Sequence, residues 1–215
     1  NINNNKISII AEIKKASPSA GIIIKNYNPV EIASTYYKNN ATCLSVLTEE
    51  HFFLCRINHM SKIKEKINLP ILCKDFFVDK YQVLQSKVHG ADAILIILAA
   101  VNEKLADELY EEALNHNMSV IVEVHTVKEA KKSLKYKDAL IGINNRNLKT
   151  LKTNLNTTYD IHNILINHRG PLISESGIKN KEDVLKIASE TKIKTFLIGE
   201  SILKNLENNN IFSIL

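Results

Sequence analysis

Residues 69–98, LPILCKDFFVDKYQVLQSKVHGADAILIIL, decide how the chain folds. Two short apolar runs, LPILCKD (69–75) and DAILIIL (92–98), flank a stretch with helical signals. Asp79 stands before that stretch as an N-cap, and Gly90 closes it as a C-terminal stop. Neither apolar run alternates with polar residues, as expected when both faces of a strand are covered. Strand, helix and strand within about 30 residues make a βαβ unit, whose two strands run parallel. The first run ends abruptly in Lys74-Asp75. Charging the end of a buried strand is costly unless the charges are paired or used.

The same alternation extends in both directions. Further strand candidates are SIIAEIK (8–14), TCLSVLT (42–48), SVIVEVH (119–125), ALIGINN (139–145), PLISES (171–176) and KTFLIGE (194–200). Asn28, Pro29 and Glu31 read as the N-cap, first and third positions of another helix. A helix over NEKLADELYEEALNHNM is expected to turn Leu105, Leu109, Ala113 and Leu114 inward, and one over KNKEDVLKIASET to turn Val184, Leu185 and Ala188 inward. Eight β–α units close into a (β/α)8 TIM barrel or spread into an open doubly wound sheet. An open sheet would carry a Gly-rich phosphate loop after its first strand, and KKASPSAG is not one. The barrel is favoured, with residues 1–215 as a single domain. The Asn-rich stretches NINNN and NLENNN at the two ends are expected to fray.

The bulk properties exclude several classes. With 215 residues, 45% hydrophobic and 24% charged, the composition is that of an ordinary globular protein. No apolar run reaches membrane-spanning length, and the first residues lack a signal-peptide core. Three cysteines, Cys43, Cys55 and Cys73, show no metal or disulfide spacing, so a cytoplasmic, reducing setting is expected. The net charge of +5 comes from lysines interleaved with acids, which fits an anionic small molecule better than nucleic acid or a membrane. Glu123 and His125 could offer two metal ligands on one strand face, but no third is visible. His125 reads as a loop residue or a neighbour of the site.

In a barrel the active site lies at the C-terminal ends of the strands. Those ends carry Glu12 and Lys14, Thr48-Glu49, Lys74-Asp75, Glu123 and His125, Asn144 and Arg146, Glu175-Ser176-Gly177, and Gly199-Glu200. Seven of the eight strands end this way, and their starts do not. Glu12 and Lys14 are two residues apart and share the face opposite Ile13. Any single pair reads equally well as a structural ion pair; the whole set points to a site for proton transfer. Gly177 and Gly199, each read alone, are tight turns; together at adjacent strand ends they favour a phosphate cradle. Ser17 and Ser19 could add hydroxyls to it.

The segments IIAEIKKASPSAG, SVLTEEHFF, PILCKDFFVDKYQV, VIVEVHT, GINNRNLKTL, ISESGI and FLIGES, in this order, resemble the indole-3-glycerol phosphate synthase family along essentially the whole chain. The resemblance implies a carboxy-lyase of tryptophan biosynthesis that uses no metal or organic cofactor. It closes 1-(2-carboxyphenylamino)-1-deoxyribulose 5-phosphate to indole-3-glycerol phosphate, carbon dioxide and water. By the resemblance Lys74 is the general acid, oriented by Asp75, and Glu123 the general base. Lys14 binds the substrate carboxylate, and Glu12, Asn144 and Glu175 complete the catalytic set. Ser17, Ser176, Gly177, Gly199 and Glu200 hold the phosphate end, and Arg146 is a site arginine. Phe53, Phe76, Leu95 and Leu148 sandwich the aromatic ring. Fusion to, or association with, another enzyme of the pathway is a further implication.

Two departures accompany the resemblance. The resemblance implies an extra N-terminal helix that covers the mouth, and this helix is expected to be absent or truncated here. Leu54-Cys55-Arg56 replaces the smaller residues usual after Phe53. These departures favour, as an alternative, a catalytically impaired barrel that binds a ligand or partner. Another sugar-phosphate barrel enzyme, phosphoribosylanthranilate isomerase, would need a Cys–Asp pair at the strand ends that the three cysteines do not supply.

Overall fold

The structure is a computed structural model and describes residues 6–206 and 209–215. β1 (Ser8–Ile13) leads into a hairpin of β2 (Ala16–Ser17) and β3 (Gly21–Ile22). Then follow α1 (Pro29–Lys38), β4 (Cys43–Leu47), α2 (Asn58–Lys64), β5 (Ile71–Lys74), α3 (Lys80–Val88), β6 (Ala93–Ile97), α4 (Glu103–Asn115) and β7 (Ser119–Val124). The chain continues through α5 (Val127–Ser133), β8 (Leu140–Asn144), α6 (Asn156–Leu165), β9 (Leu172–Glu175), α7 (Lys181–Glu190), β10 (Thr195–Ile198) and α8 (Glu200–Lys204) to a 3-10 turn at Asn210–Ile214.

β1 is hydrogen-bonded in parallel to both β4 and β10, which closes the eight-stranded ring and excludes the open sheet. Each barrel strand falls inside the run expected for it. The hairpin β2–β3 was not expected; it occupies the KKASPSAG loop, with Gly21 at φ +64°.

The pleat sorts the side chains into two cores. Ile9, Ala11 and Ile13 face the helical layer, while Ile10 points into the barrel. Ile10, Leu72, Leu95, Ile121, Ile173 and Leu197 form one apolar layer across the interior. Two residues further along each of these strands stand Glu12, Lys74, Ile97, Glu123, Glu175 and Gly199. The polar strand ends are thus the next inward storey above an apolar floor.

The helices start where polar caps stand. Asn28 accepts the amides of Val30 and Glu31, and Asp79 forms a reciprocal capping box with Gln82. The inward stripes are Ala106, Leu109 and Ala113 on α4, and Val184, Ile187 and Ala188 on α7. Leu114 and Leu185, expected inward, are exposed. Each follows its buried neighbour by one residue, about 100° round the helix and past the edge of the stripe. In the NLENNN stretch the described Asn209 and Asn210 are held in place rather than frayed. Asn209 donates to the Ser201 carbonyl and caps the final turn, which buries Ile211 and Phe212. NINNN, and positions 207 and 208, lie outside the described residues.

Candidate active site

A cavity of about 810 Å³ opens at the C-terminal mouth of the barrel. Glu12, Lys14, Lys74, Glu123, Asn144 and Arg146 line it, as do Ser17, Ser176, Gly177, Gly199 and Glu200. So do the four apolar residues Phe53, Phe76, Leu95 and Leu148. Leu95 belongs to the floor, whereas Phe76 and Leu148 stand half-exposed at the rim. Glu175, fully buried inside the barrel, does not line the cavity but bonds Lys74, which does.

The charges are organised around Lys74. Its Nζ lies 3.1 Å from Glu175 Oε2 and 3.3 Å from Glu12 Oε2. Burial opposes its charge, but attraction from Glu175, Glu12 and Glu123 outweighs this and holds the ammonium above the ordinary lysine range. Glu12 is shared, because Lys14 pairs with its other oxygen. Burial raises the Glu12 carboxyl; Lys14 and Lys74 more than compensate and bring it to about 2. Glu175 goes the other way. Burial, reinforced by the charges of Glu123 and Glu12, pushes it up to about 7 against the pull of Lys74. Glu12 has Lys14 beside it and Glu123 has His125, whereas Glu175 has Lys74 alone, so its carboxyl is the one pushed up.

Two glycines make room for these carboxylates. A Cβ on Gly142 would overlap Glu175 Oε1, and one on Gly199 would overlap Glu12 Oε1. Gly199 therefore has a steric role beyond any phosphate contact, and Gly142 is a site residue that sequence reading passed over. Ser176 and Gly177 both have positive φ, +65° and +81°, and turn the chain sharply after β9.

Asp75 does not orient Lys74. Its carboxylate takes the Thr48 hydroxyl and the Phe76 amide, pinning the end of β5 to the end of β4. Glu49 is likewise structural: it accepts the amides of His51, Phe52 and Phe53, and so holds the loop that carries Phe53. Arg146 lies beyond β8 in an isolated bridge to Thr153, and its guanidinium donates to Ser19 Oγ and the Leu151 carbonyl across the mouth. Ser17 Oγ accepts the Ala20 amide. Glu200 pairs with Lys204 at 2.6 Å, one turn further along α8.

Asn145 was also missed. Its amide donates to Ser174 Oγ and to the Glu175 and Ser176 carbonyls, and its oxygen accepts both donors of Thr158. This buried, satisfied knot locks the ends of β8 and β9 to α6 and thereby sets the position of Glu175. Among the described residues no cluster of three or more His, Cys, Asp or Glu side chains could hold a metal.

The family model described as "Indole-3-glycerol phosphate synthase" matches residues 1–214. A protein of that name from Prochlorococcus marinus subsp. pastoris is 45% identical over 212 residues, covering 96% of this chain and 72% of that protein. One from Burkholderia multivorans is 41% identical over 197 residues, 92% of this chain and 75% of its own length. Another, from Acinetobacter baumannii, is 41% identical over 215 residues, 100% of this chain and 80% of its own length. A solved structure from Aquifex aeolicus VF5 superposes with a TM-score of 0.67 at 14% identity, covering 99% of this chain and 90% of that one, and speaks for the fold alone. With the family's motifs lining the mouth of a closed barrel, the chain belongs to the indole-3-glycerol phosphate synthase family.

Proposed function

We propose that this single barrel domain, residues 1–215, performs the family's ring closure in the cytoplasm, with Lys74 as general acid and Glu123 as general base. The observation that carries the reading is the clamp on Lys74 Nζ between Glu175 and Glu12, in a cavity that Glu123 also lines. An ammonium held charged in a largely desolvated mouth stabilises the negative charge that builds on a ketone oxygen, and passes its proton to that oxygen once it becomes the stronger base. As the new carbon–carbon bond forms, Lys74 gives its proton to that oxygen and the ring carboxylate leaves as carbon dioxide. The resulting hydroxyl then takes a proton from Lys14 and leaves as water, while Glu123 takes a proton from the newly closed ring, which completes the indole.

The binding groups fit the substrate's shape. Leu95, Phe53, Phe76 and Leu148 offer apolar surface to the aromatic ring. Lys14 and Arg146 supply positive charge for the carboxylate and phosphate ends. The turn at Ser176-Gly177, the start of α8 at Gly199-Glu200, and Ser17 form the phosphate cradle. Incubation with the carboxyphenylamino substrate, followed by indole fluorescence, tests the activity. Appearance of indole-3-glycerol phosphate supports it. Binding without turnover would favour the impaired-barrel alternative.

A further inference from the structure

The proton-transfer scheme leaves an enclosed ionisable side chain beside the base without a task. His125 follows Glu123 by two residues at the end of β7, and its side chain is only 7% exposed. Its Nε2 lies 3.1 Å from Glu123 Oε1, and its Nδ1 3.5 Å from Glu129 Oε2. Glu129 is itself fixed. It accepts the His125 amide at 2.8 Å and the Thr126 hydroxyl at 3.0 Å, while that hydroxyl caps α5. Glu123 lines the cavity, and His125 stands behind it.

We infer that His125, set between Glu123 and Glu129 at ion-pair distance without a hydrogen bond to either, is a positioning residue whose charge keeps Glu123 ionised. This rests on the reading of Glu123 as the base. A base must be unprotonated, and burial alone would protonate Glu123. The groups facing it are His125 from its own strand, Lys74 from β5, Asn144 from β8 and the acidic Glu175 from β9. Lys74 is held by Glu12 and Glu175, so the ion pair that Glu123 makes within 4 Å, among the described residues, is with His125. Against the burial cost, contact with His125 and the charge of Lys74 bring the Glu123 carboxyl below its ordinary value. Burial would also strip the imidazole of its proton, but Glu123 and Glu129 push it up to about 9. It therefore stays cationic at neutral pH, where the base has to work.

The test compares pH profiles of kcat and KM for the unaltered chain, His125→Ala, His125→Gln and Glu123→Gln, beside an NMR titration of His125 in the unaltered chain. His125→Ala should lower kcat about tenfold or more, leave KM nearly unchanged, and move the acid limb of kcat to higher pH. His125→Gln keeps a donor but no charge; it should recover part of the turnover and keep the shifted limb. The NMR titration should find a protonated ring at neutral pH. An acid limb that stays put in both variants, or a neutral ring at neutral pH, overturns the inference. If Glu123→Gln retains full turnover, the base assignment beneath it fails instead. Should His125→Ala not fold, His125→Gln and the NMR titration decide.

Discussion

Lys74 Nζ and Glu175 Oε2 meet at 3.1 Å although 101 residues separate them along the chain. β5 and β9 bring them together at the storey above the apolar floor. The contact does two things. It anchors the ammonium that faces the cavity, and it leaves Glu175 Oε1 buried without a partner.

That imbalance gives stability a specific pH dependence. Glu12 titrates at about 2 in the folded chain against an ordinary 4.5. Its contribution is present above 4.5 and is lost as pH falls through about 2. Glu175 is raised from 4.5 to about 7, so the folded state keeps a proton that the unfolded chain releases. Stability therefore declines as pH rises through that window. Unfolding midpoints measured against pH should show this decline, and Glu175→Gln should remove it.

Gly142→Ala places a methyl group on Glu175 Oε1. Overpacking of this kind costs about 1–3 kcal/mol. The displaced carboxylate also loosens its hold on Lys74. Denaturant titration should register the destabilisation, and turnover should fall more than substrate affinity does.

Asn145→Ala removes the centre of a buried hydrogen-bond knot and leaves Thr158 and Ser174 partly unsatisfied. Each buried polar group stranded in this way costs about 1–3 kcal/mol. The variant should unfold at lower denaturant concentration. It should also lose turnover without touching substrate, because the ends of β8 and β9 then shift.

Arg146→Lys keeps the charge but loses the planar guanidinium, one terminal nitrogen of which donates to both Ser19 Oγ and the Leu151 carbonyl. Its KM should rise several-fold while kcat changes less.

The barrel was legible because its strands are continuous apolar runs, with polar residues crowding the C-terminal end of seven of the eight. The helices most visible in the sequence begin at Asn28, Asp79, Asn102 and Asn180, whose side chains cap them. α2, α6 and α8 start without a side-chain cap and gave no comparable signal. Within the site, inward-facing charges followed from the period-2 pleat. Asp75 misled because adjacency along a strand puts neighbours on opposite faces, so it could not serve Lys74 directly. Gly142 and Asn145 escaped notice because their roles depend on contacts between strands, which no spacing within one strand encodes.

The central claim is that Lys74 supplies the proton for ring closure. Lys74→Met keeps much of the side chain's bulk and removes the ammonium. Steady-state indole fluorescence, with circular dichroism to verify folding, should find kcat lowered by about 10²–10⁴-fold with KM little changed. A folded Lys74→Met variant with turnover near that of the unaltered chain would contradict the account.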